Sequence, residues 1–340
     1  MPTGPSPSDA SPRYRLGPGL RLVERSANTL QIGTDPPRRV ILNNAPSQAA
    51  GLLTALDGRE PLDQLLHRQL ADPELWTEIV RRLLHAGLIG RISDSDEHVL
   101  GLGEERAHLT HRYGTDAAEV LLMRRADAIV EIRGAGRVAS TMALQLAASG
   151  IGHLHHAPDR PLRRSDLLPP DSGDLDDRTR TAARLKAVSE RIQVQPVAGH
   201  QRPNVVVIAG DGPADAGLAK TLVQDEIPHM AVWAGAARAV VGPLVLPRMS
   251  SCLWCAELSR TDADAGWPLV RQAILREPVA PPAVLAAGAA ALAAAEVLEL
   301  VEGVHRPATV NGTVEWDAAS LPRRRSWARH PRCSCQSSRG

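Results

Sequence analysis

The four cysteines of this 340-residue chain fall in two close pairs, Cys252 and Cys255 in "MSSCLWCAEL" and Cys333 and Cys335 in "HPRCSCQ". A C-x-x-C spacing lets two thiolates grip one ion, and a second pair completes four ligands with none left over. That donor set fits a closed tetrahedral zinc site, which would bind the tail of the chain back onto its middle. A redox C-x-x-C, a nucleophilic thiol and buried filler are the competing readings. The second pair, C-x-C, is tighter than the usual spacing, and His330 stands by as a substitute ligand.

A second candidate for chemistry lies where the apolar run "IVEIR" meets "GAGRVA". Gly134, Gly136 and Ala139 form a G-x-G-x-x-A turn between a predicted strand and a predicted helix. Glycines there let the backbone approach a phosphate, and the helix amino end offers N–H groups and a positive dipole. Tight strand-to-helix packing demands the same glycines without any ligand. The histidines of "HLHH" (His153, His155, His156) carry less weight: strand alternation separates His156 from the other two, and no carboxylate pattern accompanies them.

These residues need elements to hold them. The first twelve residues, "MPTGPSPSDASP", have neither the basic start nor the apolar run of a signal peptide, and 1–19 are expected to be disordered. Residues 20–95 read as a hairpin, three helices and a closing strand, a small winged-helix-like α+β module. The third helix, "PELWTEIVRRLLHAG", carries Leu75, Ile79, Leu83 and Leu84 on one face. A polar linker runs from Ser93 to Glu105. From about 105 to 336, strand-type and helix-type runs alternate, with strands at "AIVEIR", "GHLHH", "QVQPV", "NVVVIAG" and "HMAVWAG". That alternation predicts an α/β fold, a doubly wound, mostly parallel sheet.

Composition narrows the function classes. A formal net charge of +1 supplies no bulk field for nucleic acid or an anionic membrane. The long apolar run 281–300 starts at a Pro pair and contains Glu296 and Glu299, so it reads as a buried helix and not a membrane span. A soluble, cytoplasmic protein without nucleic-acid or membrane partners is expected. A nicotinamide-dependent redox enzyme is disfavoured, because no acidic residue is convincingly placed for the ribose.

Taken in order, the G-x-G-x-x-A turn followed by a helix and "GIG", Asp211 after a later strand, "GPLVLP" running into C-x-x-C, and the terminal cysteine pair resemble the ThiF/MoeB/HesA family. These are ATP-binding, carboxylate-adenylating relatives of ubiquitin-activating enzymes, and the resemblance covers about 105–336. It implies a Rossmann-like sheet with a zinc knuckle far from the nucleotide, so Cys252, Cys255, Cys333 and Cys335 become structural and no thiol remains for a thioester or persulfide step. It implies ATP and magnesium, with Gly134, Gly136 and Ala139 at the phosphates and Asp211 on the magnesium. Asp159 in "HAPDR" is all that stands near the family's ribose-binding acids. Arg178 falls near the family's lysine. Arg125, or Arg124 beside it, would be the arginine reaching the triphosphate. Asp166 replaces an Asn, and Pro169 replaces the phosphate-contacting Arg. Losing a cation that neutralises phosphate charge is costly, so the adenylation site reads as degenerate.

The amino-terminal stretch "LLTALDGREPLDQLLHRQL" followed by "IVRRLLHAGLI" is similar to PqqD-like leader-recognition domains of ribosomal peptide biosynthesis. That resemblance implies a precursor's leader added as a strand to an edge at Leu30–Ile32 or Arg39–Leu42, resting against Trp76–Leu84. A leader-binding module fused to a ThiF-like domain resembles the partner proteins of heterocycle-forming cyclodehydratases. Such a partner presents the precursor peptide to a separate YcaO-type enzyme, and this is the function expected. The alternative is an active adenylyltransferase working on the carboxylate of a peptide, a sulfur carrier or a ubiquitin-like protein. ThiF-like domains commonly pair, which makes a homodimer an expectation.

Overall fold

The computed structural model describes residues 11–69, 71–92, 102–167, 177–317 and 320–336. The chain divides into two compact units, with the boundary between Met123 and Arg124.

In the first unit, β1 (Arg13–Leu16) lies between β5 (Asp57–Pro61) and β6 (Ile89–Arg91) and runs antiparallel to both. The sequence places 13–16 in a disordered lead, but Tyr14 and Leu16 pack on the unit's core and make it a strand. The expected hairpin is a three-stranded meander of β2 (Leu22–Ser26), β3 (Thr29–Ile32) and β4 (Val40–Asn43), with β3 in the middle. Helices α1 (Ala49–Ala55), α2 (Leu62–Arg68) and α3 (Pro73–His85) follow the apolar periodicity. Asp72 caps α3 by accepting from the N–H groups of Glu74 and Leu75, and Pro73 fits the first helical position, where no N–H is needed. The buried face of α3 is Trp76, Val80 and Leu83, while Leu75 is 45 % exposed. Of the expected stripe, Leu83 is buried and Ile79 and Leu84 pack against the core, with Trp76 and Val80 beside them in place of Leu75.

Helices α4 (Gly103–Tyr113) and α5 (Thr115–Asp127) share a small core of Leu109, Ala118, Leu121 and Leu122. The sequence puts both at the head of the second domain, whereas the boundary between units falls inside α5. Of the expected linker, 93–101 lies outside the described residues.

The second unit holds a seven-stranded sheet in the order β13 (Arg323–Ser326), β12 (Gly312–Asp317), β11 (Arg238–Val245), β10 (His229–Ala234), β9 (Val205–Gly210), β7 (Ile129–Arg133), β8 (His153–Ala157). Strands β8, β7, β9 and β10 are parallel, and β10 to β13 form an antiparallel meander, so the sheet is half parallel and half antiparallel. The run "QVQPV" forms no strand; its Gln193 makes one isolated bridge to His153. Helices α6 (Arg137–Ala148), α7 (Asp177–Val188) and α11 (Ala283–Glu302) build the core on one face, and α8 (Ala216–Gln224) and α9 (Leu253–Ala263) build it on the other. Helix α10 (Trp267–Arg276) follows α9.

Helix α11 is long and apolar enough to cross a membrane by length and composition. Here Ala286, Ala289, Ala290 and Ala293 are completely buried in the core shared with α6 and β11. Small side chains let the helix lie close to its neighbours. Its Glu296 accepts from the Thr309 N–H at 2.7 Å and the Thr309 hydroxyl at 2.6 Å, which satisfies a buried carboxylate.

Candidate functional site

Strand order 8-7-9 makes the chain leave β7 in one direction and β9 in the other, and the crevice beyond their carboxyl ends is where doubly wound sheets bind ligands. The G-x-G-x-x-A turn lies there. Gly134 has φ +114°, and a Cβ on it would meet the Ala209 carbonyl oxygen at 1.9 Å. Gly136 has φ +109°, and a Cβ on it would meet Asp211 Oδ1 at 2.6 Å. Both positions therefore require glycine. No side chain caps α6, so its first N–H groups face the crevice without a side-chain acceptor, while Ala139 is buried one turn further in.

Asp211, just past β9, thus reaches the glycine loop. Its Oδ1 is buried without a hydrogen-bond partner. Its Oδ2 accepts from Arg160 Nη2 at 3.2 Å. Burial pushes the Asp211 carboxyl above its ordinary value, and the Arg160 charge works against that rise.

Sequence reasoning missed Arg160. Its guanidinium also grips Asp166, through Nη1 at 2.6 Å and Nη2 at 3.3 Å, and Asp166 is further fixed by the Arg163 N–H at 2.8 Å. One arginine therefore bridges the two carboxylates of the crevice. The only linear signal was the adjacency of Asp159 and Arg160. His156 was also passed over: its buried ring donates from Nε2 to the Gly134 carbonyl at 3.0 Å, holding the loop from β8. Burial pulls the His156 pKa down, which keeps the ring neutral.

The other predicted residues are not gathered here. Asp159 is exposed beyond the end of β8, the strand next to β7. Arg178 lies in α7, but its side chain and the whole of Pro169 lie outside the described residues. Arg125 is a correction. Its side chain is 3 % exposed and pairs with Glu302 at 2.5 Å, and its Nη1 donates to the Ser149 carbonyl at 3.0 Å. Arg124 donates to the Glu302 carbonyl. Both arginines end the helix that leads into β7, so they sit at the amino end of that strand, and the glycine loop is at the carboxyl end. Arg125 is a core ion pair in this chain.

At the antiparallel half, all four cysteine sulfurs lie within 4.8 Å of one another. Cys252 Sγ is 3.7 Å from Cys255 and 3.5 Å from Cys333, and Cys255 is 3.5 Å from Cys335. Tetrahedral ligands with Zn–S bonds of about 2.3 Å stand about 3.8 Å apart, whereas a disulfide needs about 2.05 Å. The set fits zinc. Cys252 occupies the N-cap position of α9 and Cys255 its first turn, so the positive end of the helix favours thiolate there. The hydrogen bond from Cys252 draws the Cys255 thiol down, while the same contact and burial push the Cys252 thiol up. His330 is turned elsewhere, with Nε2 on Asp262 at 2.8 Å and Nδ1 accepting from the Arg332 N–H.

No protein-family model matches the chain, and no curated protein matches it significantly. Solved structures share its fold. E. coli MccB with ATP superposes with a TM-score of 0.66 at 19 % identity, covering 95 % of this chain and 99 % of that one. The microcin C7 biosynthetic enzyme MccB in complex with N-formylated MccA gives 0.66 at 18 % identity over the same shares. A heterocyclase in complex with substrate and cofactor gives 0.62 at 14 % identity over 94 % of this chain and 39 % of that one. At such identities the likeness is one of fold, an MccB-like α/β fold with a parallel central sheet.

Proposed function

We propose that this chain is a ThiF-like protein of ribosomal peptide modification, which binds a precursor peptide through its first unit and presents it to a separate cyclodehydratase-type (YcaO-type) enzyme. The fold shared with a peptide-bound biosynthetic enzyme and with a substrate-bound heterocyclase supports the class. The single observation that carries the presenting role is the Arg160 bridge. The glycine cradle suits a phosphate, but the carboxylate that should hold magnesium is already paired with the protein's own cation. Magnesium-ATP does not fit this arrangement while Arg160 holds Asp211 Oδ2.

In this reading the first unit is a PqqD-like, winged-helix-like module. Its β4 pairs with β3 alone among the described residues, which leaves a row of main-chain groups for an added strand. The central position of β3 removes Leu30–Ile32 from consideration as the receiving edge and keeps the Arg39–Leu42 side. Hydrogen exchange of the full chain with its precursor's leader peptide tests this: amides of 40–43 are expected to gain protection, and protection confined to other segments would overturn it.

A second reading is supported by the unpartnered Oδ1 of Asp211, an open acceptor facing the loop. If Arg160 yields on substrate binding, the chain adenylates a peptide or carrier-protein carboxylate. Calorimetry with magnesium-ATP separates the two: the presenting role expects no binding at millimolar nucleotide, and micromolar binding would favour the adenylating one.

A further inference from the structure

A cavity of about 730 Å³ opens on the sheet face opposite α6 and α11, and no part of the function above uses it. It lies between α8 and α9. Helix α8 turns Ala216, Ala219, Lys220 and Val223 toward it, the i, i+3, i+4, i+7 stripe of one helical face. Helix α9 turns Leu253, Trp254 and Glu257 toward it. The floor is Ala231 and Trp233 of β10, with Val240 paired opposite Trp233 on β11. Alanines stand where larger side chains would fill the groove between two helices, so the space is a consequence of residue choice. Its size is that of a small-ligand pocket, room for roughly two or three residues of a peptide.

Charge narrows the occupant. The lining carries Lys220, Arg248, Arg260, Arg271 and Arg329 against Glu226 and Glu257. Arg248 is paired with Glu226, Arg260 with Glu257 and Glu315, and Arg271 with Glu257. Among the described residues no carboxylate pairs with Lys220 or Arg329. Two indoles and two uncompensated cations call for an apolar side chain beside a carboxylate. The lining includes Pro213, two residues after Asp211 and so at most about 7 Å along the chain from it, and it also includes Cys252, Cys333 and Cys335.

We infer that this cavity is a second peptide site, taking a segment of the precursor in which an apolar residue adjoins an acidic one. The inference rests on the proposed function only for the source of the segment. It goes beyond that function by placing a specificity site in the ThiF-like half, so that two contacts would hold the substrate.

The test uses the full zinc-loaded chain and a capped tetrapeptide, acetyl-Ala-Glu-Phe-Ala-amide, with its Glu-to-Lys counterpart. Binding is read by quenching of tryptophan fluorescence. A photo-crosslinking version carries benzoylphenylalanine and is mapped by mass spectrometry. The expected result is crosslinks to 213–224 and 248–260, at least tenfold weaker binding of the acidic peptide by K220E, and recovery by K220E with the lysine peptide. Unchanged affinity in K220E, crosslinks only elsewhere, or no binding of the acidic peptide would each overturn the cavity site. Leader protection at 40–43 is measured separately, so either site can fail alone.

Discussion

Replacing Arg160 by alanine should turn a self-neutralised crevice into a cation site. The side chains of Asp166 and Asp211 are 2 % and 7 % exposed, and Arg160 is 28 % exposed. Removing one partner of a fully buried ion pair costs about 3–5 kcal/mol. Partial exposure of the guanidinium admits solvent screening, so about 2–3 kcal/mol is expected here. For a unit of this size that lowers Tm by about 4–12 °C. The pH dependence has a definite sign. Burial and the Asp166 charge already hold the Asp211 proton more tightly in the folded chain than in the unfolded one, and losing Arg160 strengthens that bias. The folded state then binds more protons, so stability falls as pH rises from the ordinary carboxylate value of 3.8 through the raised one. The deficit of R160A should therefore be small near pH 4 and complete at pH 7. Calorimetric melting at both pH values, with and without magnesium, reads all of this. Magnesium should restore R160A and leave the wild type unmoved. An R160A Tm equal to wild type at pH 7, or indifference of R160A to magnesium, would refute the reasoning.

Metal analysis should find a single zinc ion per chain, and Cys333→Ser should lose it and open the tail to proteolysis, because site and fold form together; a metal-free chain with an unchanged melt would contradict the site. Arg125→Met should cost about 3–5 kcal/mol in urea unfolding by leaving the Glu302 side chain, 1 % exposed, without its partner. Leader binding should not change in that variant; weaker binding with unchanged stability would restore Arg125 to a functional role. Asp166→Asn should release Arg160 from its two-point grip, and detectable magnesium-ATP binding in this variant but not in wild type is the expected calorimetric result. A variant as silent as wild type would mean that the bridge is not what closes the crevice.

The cysteine pairs and the glycine turn were legible because each is a local spacing whose chemistry needs no knowledge of the fold. Asp211 was singled out only through the resemblance, and what the structure adds is its place beside Gly136. Arg160 and His156 were not legible, since their partners Asp166, Asp211 and Gly134 meet only once β8 and β9 flank β7. The Arg125 expectation failed for the same reason: nearness in sequence to β7 does not say at which end of the strand a side chain arrives. In the first unit, periodicity found α3 and most of its inward face but left out Trp76 and Val80, which bury beside Leu83 while Leu75 stays exposed. Composition hid β1, whose tyrosine and leucine sit among prolines and arginines.

The two functional readings part at Asp166. A neutral amide there would bind Arg160 weakly, leaving the guanidinium free to turn toward a phosphate and Asp211 free to take a metal. A carboxylate holds the arginine at two points and, through it, neutralises Asp211. The carboxylate of Asp166 therefore acts twice, adding a negative charge to the crevice and holding the cation that would offset the charge of a phosphate there. Such a crevice is stable without ligand, as a presenting protein requires. An adenylating enzyme would need the opposite, a cation left unsatisfied until nucleotide arrives.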